Sequence, residues 1–446
     1  MRPIPKTLVA LALGAAFTQA GAIDLSQAYR AALDNDSQIR ALRAATAARV
    51  ERLPQARAQL LPQVAINSSR FRNILDQTQP NFLGQQVSNH VVYSSASDVL
   101  QVRQPIFRAA LWADYKQAQA VVEDATANLE KEEQNLVVRV GGAYFEVLLA
   151  EDQLQLVQSQ KQAYVVQLDA ARKRMAAGSG TRTDIDDAQA RLDMTIAQEL
   201  ELKQAVDLAR RQLEVLVEMP LGQLATLDAA AMRLAPPLPD SVDAWTETAV
   251  GNSPEIRSLR AQVEVARLEV QKARAGHLPT LDAVAQVARN ESDTITNINQ
   301  RNNIKAIGVQ LTVPLYSGGY VNSQVRQALA EQERAENALE ATRRDLAVRV
   351  HREFRGVTEG VLKVQALEQA VRSAEQAVTS SRRSFEAGAR TLLDILNAQQ
   401  QYATAVRDLS QARYVYLISR VRLQALAGGS KAGVLDEING WLKPPA

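Results

Sequence analysis

Gly388-Ala389-Arg390-Thr391-Leu392-Leu393-Asp394-Ile395-Leu396-Asn397-Ala398-Gln399 reads as a glycine stop followed by a fresh helical start, and the chain carries it twice. The earlier copy is Gly178-Ser179-Gly180-Thr181-Arg182-Thr183-Asp184-Ile185-Asp186-Asp187-Ala188-Gln189, with Gly, Thr, Asp, Ile, Ala and Gln recurring 210 positions later. Six matches at one offset around a glycine mark a duplication rather than chance likeness between Ala- and Gln-rich helices. Val138-Arg139-Val140 returns at the same offset as Val348-Arg349-Val350. Upstream, Ile39-Arg40-Ala41-Leu42-Arg43 returns as Ile256-Arg257-Ser258-Leu259-Arg260, and Leu61-Pro62 as Leu278-Pro279, both at an offset of 217. Gln101 and Pro105 match Gln310 and Pro314 at 209, so the first copy holds eight extra residues between Pro62 and Pro105. Insertions collect in exposed loops, which places a loop tip around Gln77 to Asn89.

The glycines punctuate very long helices. No proline interrupts Leu111 to Ala177 or Val321 to Ala387, and a helix of that length runs on the order of 100 Å at about 1.5 Å per residue. Val361, Val364, Leu367, Val371, Ala374 and Val378 have coiled-coil spacing, as do Leu392, Ile395, Tyr402, Val406 and Leu409. Gly178 and Gly388 are expected in the left-handed conformation that ends one helix and lets the chain reverse. Each half therefore carries a long antiparallel helical hairpin.

Before each hairpin the period changes. Helical spacing from about Leu25 to Leu60 ends at Leu61-Pro62, and the second copy ends at Leu278-Pro279. Leu281, Ala283, Ala285 and Val287, then Ile307, Val309, Leu311 and Val313, alternate with other residues as strands with one apolar face do. First-half strands are expected near Val64 to Ser69 and Ser94 to Val102, with polar joiners at Asn73 to Asn89 and Asn290 to Asn303. The expected organisation is a signal peptide over 1–22, a first repeat over 23–235 with strands at about 62–104, a second repeat over 236–427 with strands at about 279–315, and a loosely structured tail over 428–446. Pro220 and Pro236-Pro237-Leu238-Pro239 mark the connector.

Arg2, Lys6, the apolar Leu8 to Phe17 and Ala20-Gly21-Ala22 fit an export signal. Removing Arg2 and Lys6 from the 51 basic residues leaves 49, equal to the 49 acidic ones, which argues against nucleic acid as a partner. The chain has no cysteine, so disulfides, Cys-ligated zinc and a lipidated N-terminal Cys are excluded. His90, His277 and His351 fit no metal spacing, and no phosphate loop or dinucleotide fingerprint is present. Neither a cofactor nor catalysis is expected, and Asp186-Asp187 reads as a solvated helix face.

Four strands cannot close a membrane barrel, because closed barrels begin at about eight, and an open edge in lipid leaves backbone groups unpaired. If these strands are embedded in a membrane, several chains must share one barrel. A soluble periplasmic coiled-coil scaffold or adaptor is the alternative, but it has no use for two strand pairs with polar tips.

The duplicated plan, Leu311-Thr312-Val313-Pro314-Leu315-Tyr316-Ser317-Gly318-Gly319, and Phe385-Glu386-Ala387-Gly388-Ala389-Arg390-Thr391-Leu392-Leu393-Asp394-Ile395-Leu396-Asn397-Ala398 together resemble the TolC family of outer-membrane efflux proteins over nearly the whole chain. The resemblance implies a mainly α fold, with four strands per chain contributed to one 12-stranded barrel of a homotrimer, embedded in outer-membrane lipid. It implies a helical tunnel reaching into the periplasm, docked to a periplasmic adaptor and an inner-membrane ABC or proton-driven transporter. It also implies a gate at the hairpin turns, held by Arg390 facing Thr183 and Asp184 of a neighbouring chain, with Asp394 at the constriction. Asn397 falls where a second aspartate can occur, and Phe385 where a tyrosine can, so the entrance is expected to be less acidic and more weakly held. Within the resemblance, the Arg390-Thr391-Leu392-Leu393-Asp394 turn favours protein secretion over small-molecule efflux.

Overall fold

A computed structural model describes residues 22–292, 298–429 and 433–443. Apart from Ala22, the expected signal peptide lies outside them. In chain order the elements are α1 (Leu25–Asn35), α2 (Ser37–Val50), α3 (Arg52–Ala58), β1 (Gln63–Pro80), β2 (Gln86–Phe107), α4 (Ala109–Ala176), α5 (Arg182–Val217), β3 (Thr226–Leu227), α6 (Val242–Asn252), α7 (Pro254–Arg274), β4 (Thr280–Glu291), β5 (Arg301–Thr312), α8 (Tyr320–Glu386), α9 (Leu392–Leu426), α10 (Gly433–Asn439) and β6 (Leu442–Lys443). Among the described residues no helix is long and apolar enough to cross a membrane.

The chain divides into two units. One comprises the residues up to Arg43, Asn128–Ile256 and those from Thr342 onward, and it holds both hairpin turns and most of the helices that flank them. Val361, Val364 and Ala374 on α8 are buried, as are Leu392, Ile395 and Leu409 on α9, so the heptad positions named from sequence are seam positions. Val364, Leu409 and Ala412 form one packed cluster, with Leu367 and Val371 against it. Gly356 and Gly360 let α8 approach α9 closely: a Cβ on Gly356 would lie 2.7 Å from Ser419 Oγ, and one on Gly360 3.2 Å from the Tyr416 ring.

The connectors dock on the hairpins through buried tyrosines. Tyr144 Oη donates to the carbonyls of Ile23 and Ala225 at 3.0 and 2.9 Å. Tyr416 Oη donates to the Ala235 carbonyl at 3.0 Å and accepts from the Ala235 amide at 3.2 Å. Asp36 ends α1 and starts α2, its Oδ1 accepting from the amides of Gln38 and Ile39, while its Oδ2 takes Arg139 Nη2 at 2.8 Å. The equivalent of Asp36 in the repeat, Ser253, accepts from the Ile256 amide at 3.4 Å and divides α6 from α7 in the same way.

The C-terminal segment corrects one expectation. Its described part, 433–443, is structured, not loose: Val434, Leu435, Ile438 and Trp441 are buried, β6 pairs antiparallel with β3, and Arg420 bonds Glu437 at 2.8 Å. Asn439 and Asp436 accept from the Leu25 amide and the Ser26 hydroxyl of α1. A seven-residue helix is too short for periodicity to declare it, and its order comes from packing.

The other unit, Ala44–Ala127 and Arg257–Ala341, contains one antiparallel sheet in the order β1-β2-β4-β5. β1 and β2 are longer than expected. Their ladder runs from Gln63↔Arg103 to Pro80↔Gln86, so the eight extra residues lengthen strands and the loop tip narrows to Asn81–Gln85. There Asn81 Oδ1 accepts from the amides of Leu83 and Gln85, and Gly84 takes φ +77°. Beyond Ser69 the pairing is carried by polar cross-strand contacts, Asn73 with Ser95, Asp76 with His90 and Thr78 with Ser88. Apolar and polar residues are mixed on both faces here, with Ile74 opposite Val92 on one and Leu75 opposite Val91 on the other, so there is no clean alternation to read. In the second copy, 293–297 of the polar joiner fall outside the described residues. Gly318 and Gly319, both at positive φ, turn the chain from β5 into α8.

Candidate functional site

The hairpin turns are built alike, from local chemistry. At the first, the Gly178 amide donates to the Met175 carbonyl and the Ser179 amide to Arg174, with φ +76° at Gly178. At the second, the Gly388 amide donates to Phe385 and the Ala389 amide to Ser384, with φ +75° at Gly388. This pair of bonds satisfies the carbonyls a helix end leaves open, and it needs a left-handed residue. The next helices then start on reciprocal caps. Thr181 Oγ1 accepts from the Asp184 amide while Asp184 Oδ2 accepts from the Thr181 amide, and Thr391 with Asp394 repeats the arrangement.

These caps were legible as Thr-x-x-Asp before an apolar run, yet sequence reading singled out Asp184 and Asp394 only for their charge. The Asp394 carboxyl is held below the usual carboxylate range, first by the Thr391 amide and hydroxyl and then by the Arg390 charge. Within the chain, Arg390 Nη1 donates to Ser381 Oγ at 3.3 Å rather than to Thr183 or Asp184, and Thr183 is exposed. The counterpart of Arg390 in the first turn is Gly180, where a Cβ would meet the Met175 backbone nitrogen at 2.8 Å. The duplicated turns thus differ at this position, an arginine in one and a glycine in the other.

Around the turns, Tyr164, Leu168, Ala171, Ala188, Leu192, Leu392, Ile395 and Leu396 form a buried cluster, with Ile185 and Phe385 packed on it. The Arg174 guanidinium lies 4.2 Å from the centre of the Phe385 ring, and Arg191 Nη2 donates to Asn397 Oδ1 at 2.7 Å. Phe385 and Asn397 are thereby brought to the same tip, each holding an arginine that sequence reading did not identify.

The sheet is the second part of the site. Directly opposed residues share a face, so its register sorts every side chain. One face carries the rows Leu311–Leu281–Phe107, Ile307–Ala285–Val102–Val64 and Lys305–Val287–Leu100–Ile66. Ile307 is 89 % exposed, Ile66 73 % and Val64 66 %. An apolar area this extensive on a sheet face is foreign to a water-soluble surface. The opposite face is more polar, carrying Gln101, Gln286, Ser97, Asn290 and Asn302 on either side of one apolar row of Ile304, Ala288 and Val99. At its foot, buried Asp282 takes Arg103 Nη2 and Arg108 Nη2, each at 2.5 Å. Apolar outside and polar inside is the signature of a transmembrane barrel wall around an aqueous lumen.

The sequence model of the family described as "Outer membrane efflux protein" matches residues 28–217 and 245–429. The alkaline protease secretion protein AprF of Pseudomonas aeruginosa is 36% identical over 420 residues, covering 93% of this chain and 85% of that protein. The proteases secretion protein PrtF of Dickeya chrysanthemi is 32% identical, covering 98% of this chain and 95% of that one. The solved structure of the transmembrane channel CusC superimposes with a TM-score of 0.80 at 16% identity, covering 93% of this chain and 96% of that one. Family membership decides against the soluble scaffold, and a transport duct rather than an enzyme follows from it. The chain belongs to the TolC-like outer membrane efflux protein family, and it is an outer-membrane subunit of the exit duct of an export system.

Proposed function

We propose that three copies of this chain close one barrel of twelve strands, and that the resulting duct exports protein to the cell surface. The observation that carries the reading is the four-stranded sheet with an apolar outer face, whose edge strands β1 and β5 are each paired on one side only among the described residues. In lipid those edges must be satisfied by further strands, and four strands are too few to curl upon themselves. The resemblance supplies the number three. Protein cargo is favoured by the two secretion relatives, AprF and PrtF, whose names refer to proteases. Small-molecule efflux is the second reading, which the family's description keeps open.

Residues 23–235 and 236–427 serve as the two repeats, each supplying a strand pair and a helical hairpin. The hairpin turns form the periplasmic gate. Arg390 of one chain faces Thr183 and Asp184 of the next, where a guanidinium fork meeting a carboxylate is directional. Asp394, its ionised form favoured by its own cap, puts charge at the constriction, and threefold symmetry triples it. Asn397 and Phe385 add a neutral ring and an apolar ring where a more tightly held gate would have an acid and a hydroxyl. A periplasmic adaptor and an inner-membrane ABC or proton-driven transporter dock at these tips and supply the energy.

Single-channel conductance in a planar bilayer tests this, with wild type beside Arg390→Ala. A small steady conductance that rises in the variant is expected. Equal conductance would discard the latch, and a protein that stays soluble without detergent and never inserts would discard the channel.

A further inference from the structure

The apolar rows of the sheet end abruptly at a belt of charge. Moving toward the Asn81–Gln85 tip, the rows on the same outer face become Lys305–Val287–Leu100–Ile66, then Asn303–Arg289–Asp98–Ser68, then Arg301–Glu291–Ala96–Arg70, then Arg72 opposite Ser94. Five cations and two anions occupy this belt. Arg70 pairs with Asp98 at 2.8 Å and Arg301 with Glu291 at 3.2 Å. Arg72, Arg289 and Lys305 are exposed and form no salt bridge among the described residues, although Arg289 lies opposite Asp98 and its charge acts on that carboxylate; five cations against two anions leave an excess of positive charge on this face.

The position of the belt is as informative as its sign. From Phe107 to Asp98, in the first row with two opposed charges, is nine residues of β2, about 30 Å along the strand, or about 23 Å across the bilayer at the usual tilt. That matches the height of the apolar band, so the belt lies at the headgroup level of the leaflet nearer the strand tips. Its members also sit on the edges. Arg70 and Arg72 are on β1, and Arg301 and Lys305 on β5, the two edge strands, each paired on one side only among the described residues.

Resting on the shared-barrel reading, we propose that this belt binds the phosphate groups of a phosphorylated glycolipid in the outer leaflet, with a site centred where β1 of one copy meets β5 of the next. The acyl chains lie on Val64, Ile66, Leu100, Val102 and Ile307 while the phosphates meet the guanidinium groups, which suit phosphate oxygens in paired hydrogen bonds. The lipid thereby neutralises like charges that assembly would otherwise set side by side.

The test uses the purified full-length chain in a neutral detergent and diphosphorylated lipid A as the probe, with binding followed by native mass spectrometry. The comparison is with the dephosphorylated form of the same lipid and with the triple variant R72Q/R289Q/K305Q. Each interfacial cation contributes about fivefold to anionic-lipid affinity, so the triple variant is expected to bind on the order of 100-fold more weakly. Light scattering on the same samples reports assembly. Assembled wild type and variant with equal affinity would overturn the headgroup site alone, as would equal binding of the dephosphorylated lipid or full displacement by millimolar inorganic phosphate. A chain that remains monomeric and soluble without detergent would overturn the shared barrel and this inference together.

Discussion

Replacing Tyr416 by Phe removes one oxygen from a fully buried side chain and leaves the packing of the ring intact. Its hydroxyl is bonded twice to Ala235, giving to the carbonyl at 3.0 Å and taking from the amide at 3.2 Å, with Arg420 Nη1 at 3.4 Å as a third contact. The variant strands both backbone groups of Ala235 in a half-buried site. Leaving a buried donor or acceptor unsatisfied costs about 1–3 kcal/mol, and Ala235 retains some access to water, which puts the loss toward the lower part of that range. Because the oxygen is small, no cavity cost is added. The expected outcome is faster hydrogen exchange at the Ala235 amide and its neighbours Leu234 and Arg233, by roughly 5- to 30-fold, since about 1.4 kcal/mol is a factor of ten. Peptide-resolved exchange mass spectrometry reads this directly, without requiring the whole assembly to unfold reversibly. Tyr402→Phe is the control, because Tyr402 has no comparable backbone partner among the described residues. Unchanged exchange around Ala235 in Tyr416→Phe, or an equal effect in both variants, would refute the claim that a hydroxyl fixes the connector to the hairpin.

Thr391→Ala is expected to fray the start of α9, weakening that cap by about 1 kcal/mol, and exchange at Leu392 to Ile395 should rise while the equivalent turn at Thr181 stays protected. Gly356→Ala should destabilise the α8–α9 contact despite its better helix propensity, because the new methyl would overlap Ser419 at 2.7 Å and overpacking costs about 1–3 kcal/mol; the Gly356→Ala/Ser419→Gly double variant should recover the wild-type denaturation midpoint. The Asp152 carboxyl is pushed up by burial, against the lowering effect of hydrogen bonds from Tyr414 and Ser410. A raised acid binds its proton more tightly when folded, so its contribution is fullest below the ordinary carboxylate value and declines as pH rises through its elevated one. Asp152→Asn should flatten that segment of a stability–pH series, and an unaltered slope would count against the buried-acid account.

Several features needed only the sequence. The duplication, the coiled-coil seam of Val361, Val364, Ala374, Leu392 and Ile395, and the reversals at Gly178 and Gly388 all follow from periodicity and local backbone chemistry. A heptad declares its buried stripe over many turns, and a glycine stop followed by Thr-x-x-Asp acts within one turn. The strands of the second copy were also legible, because one wet face and one apolar face impose a period of two.

Other features came only from the fold. The outer ends of β1 and β2 mix polar and apolar residues on both faces, so no period of two shows and their ladder depends on cross-strand partners such as Asn73 with Ser95 and Thr78 with Ser88. The short α10 owes its order to the pocket that receives Leu435 and Ile438. The pairing of Arg191 with Asn397 and the stacking of Arg174 on Phe385 join the two repeats, and no spacing along one chain predicts which arginine arrives. The belt from Arg70 to Lys305 is invisible in sequence, since its members lie on four strands and are aligned only by register. Sequence fixes what is periodic or local; tertiary structure decides what depends on distant partners, because a contact between repeats has a free energy that no single segment contains.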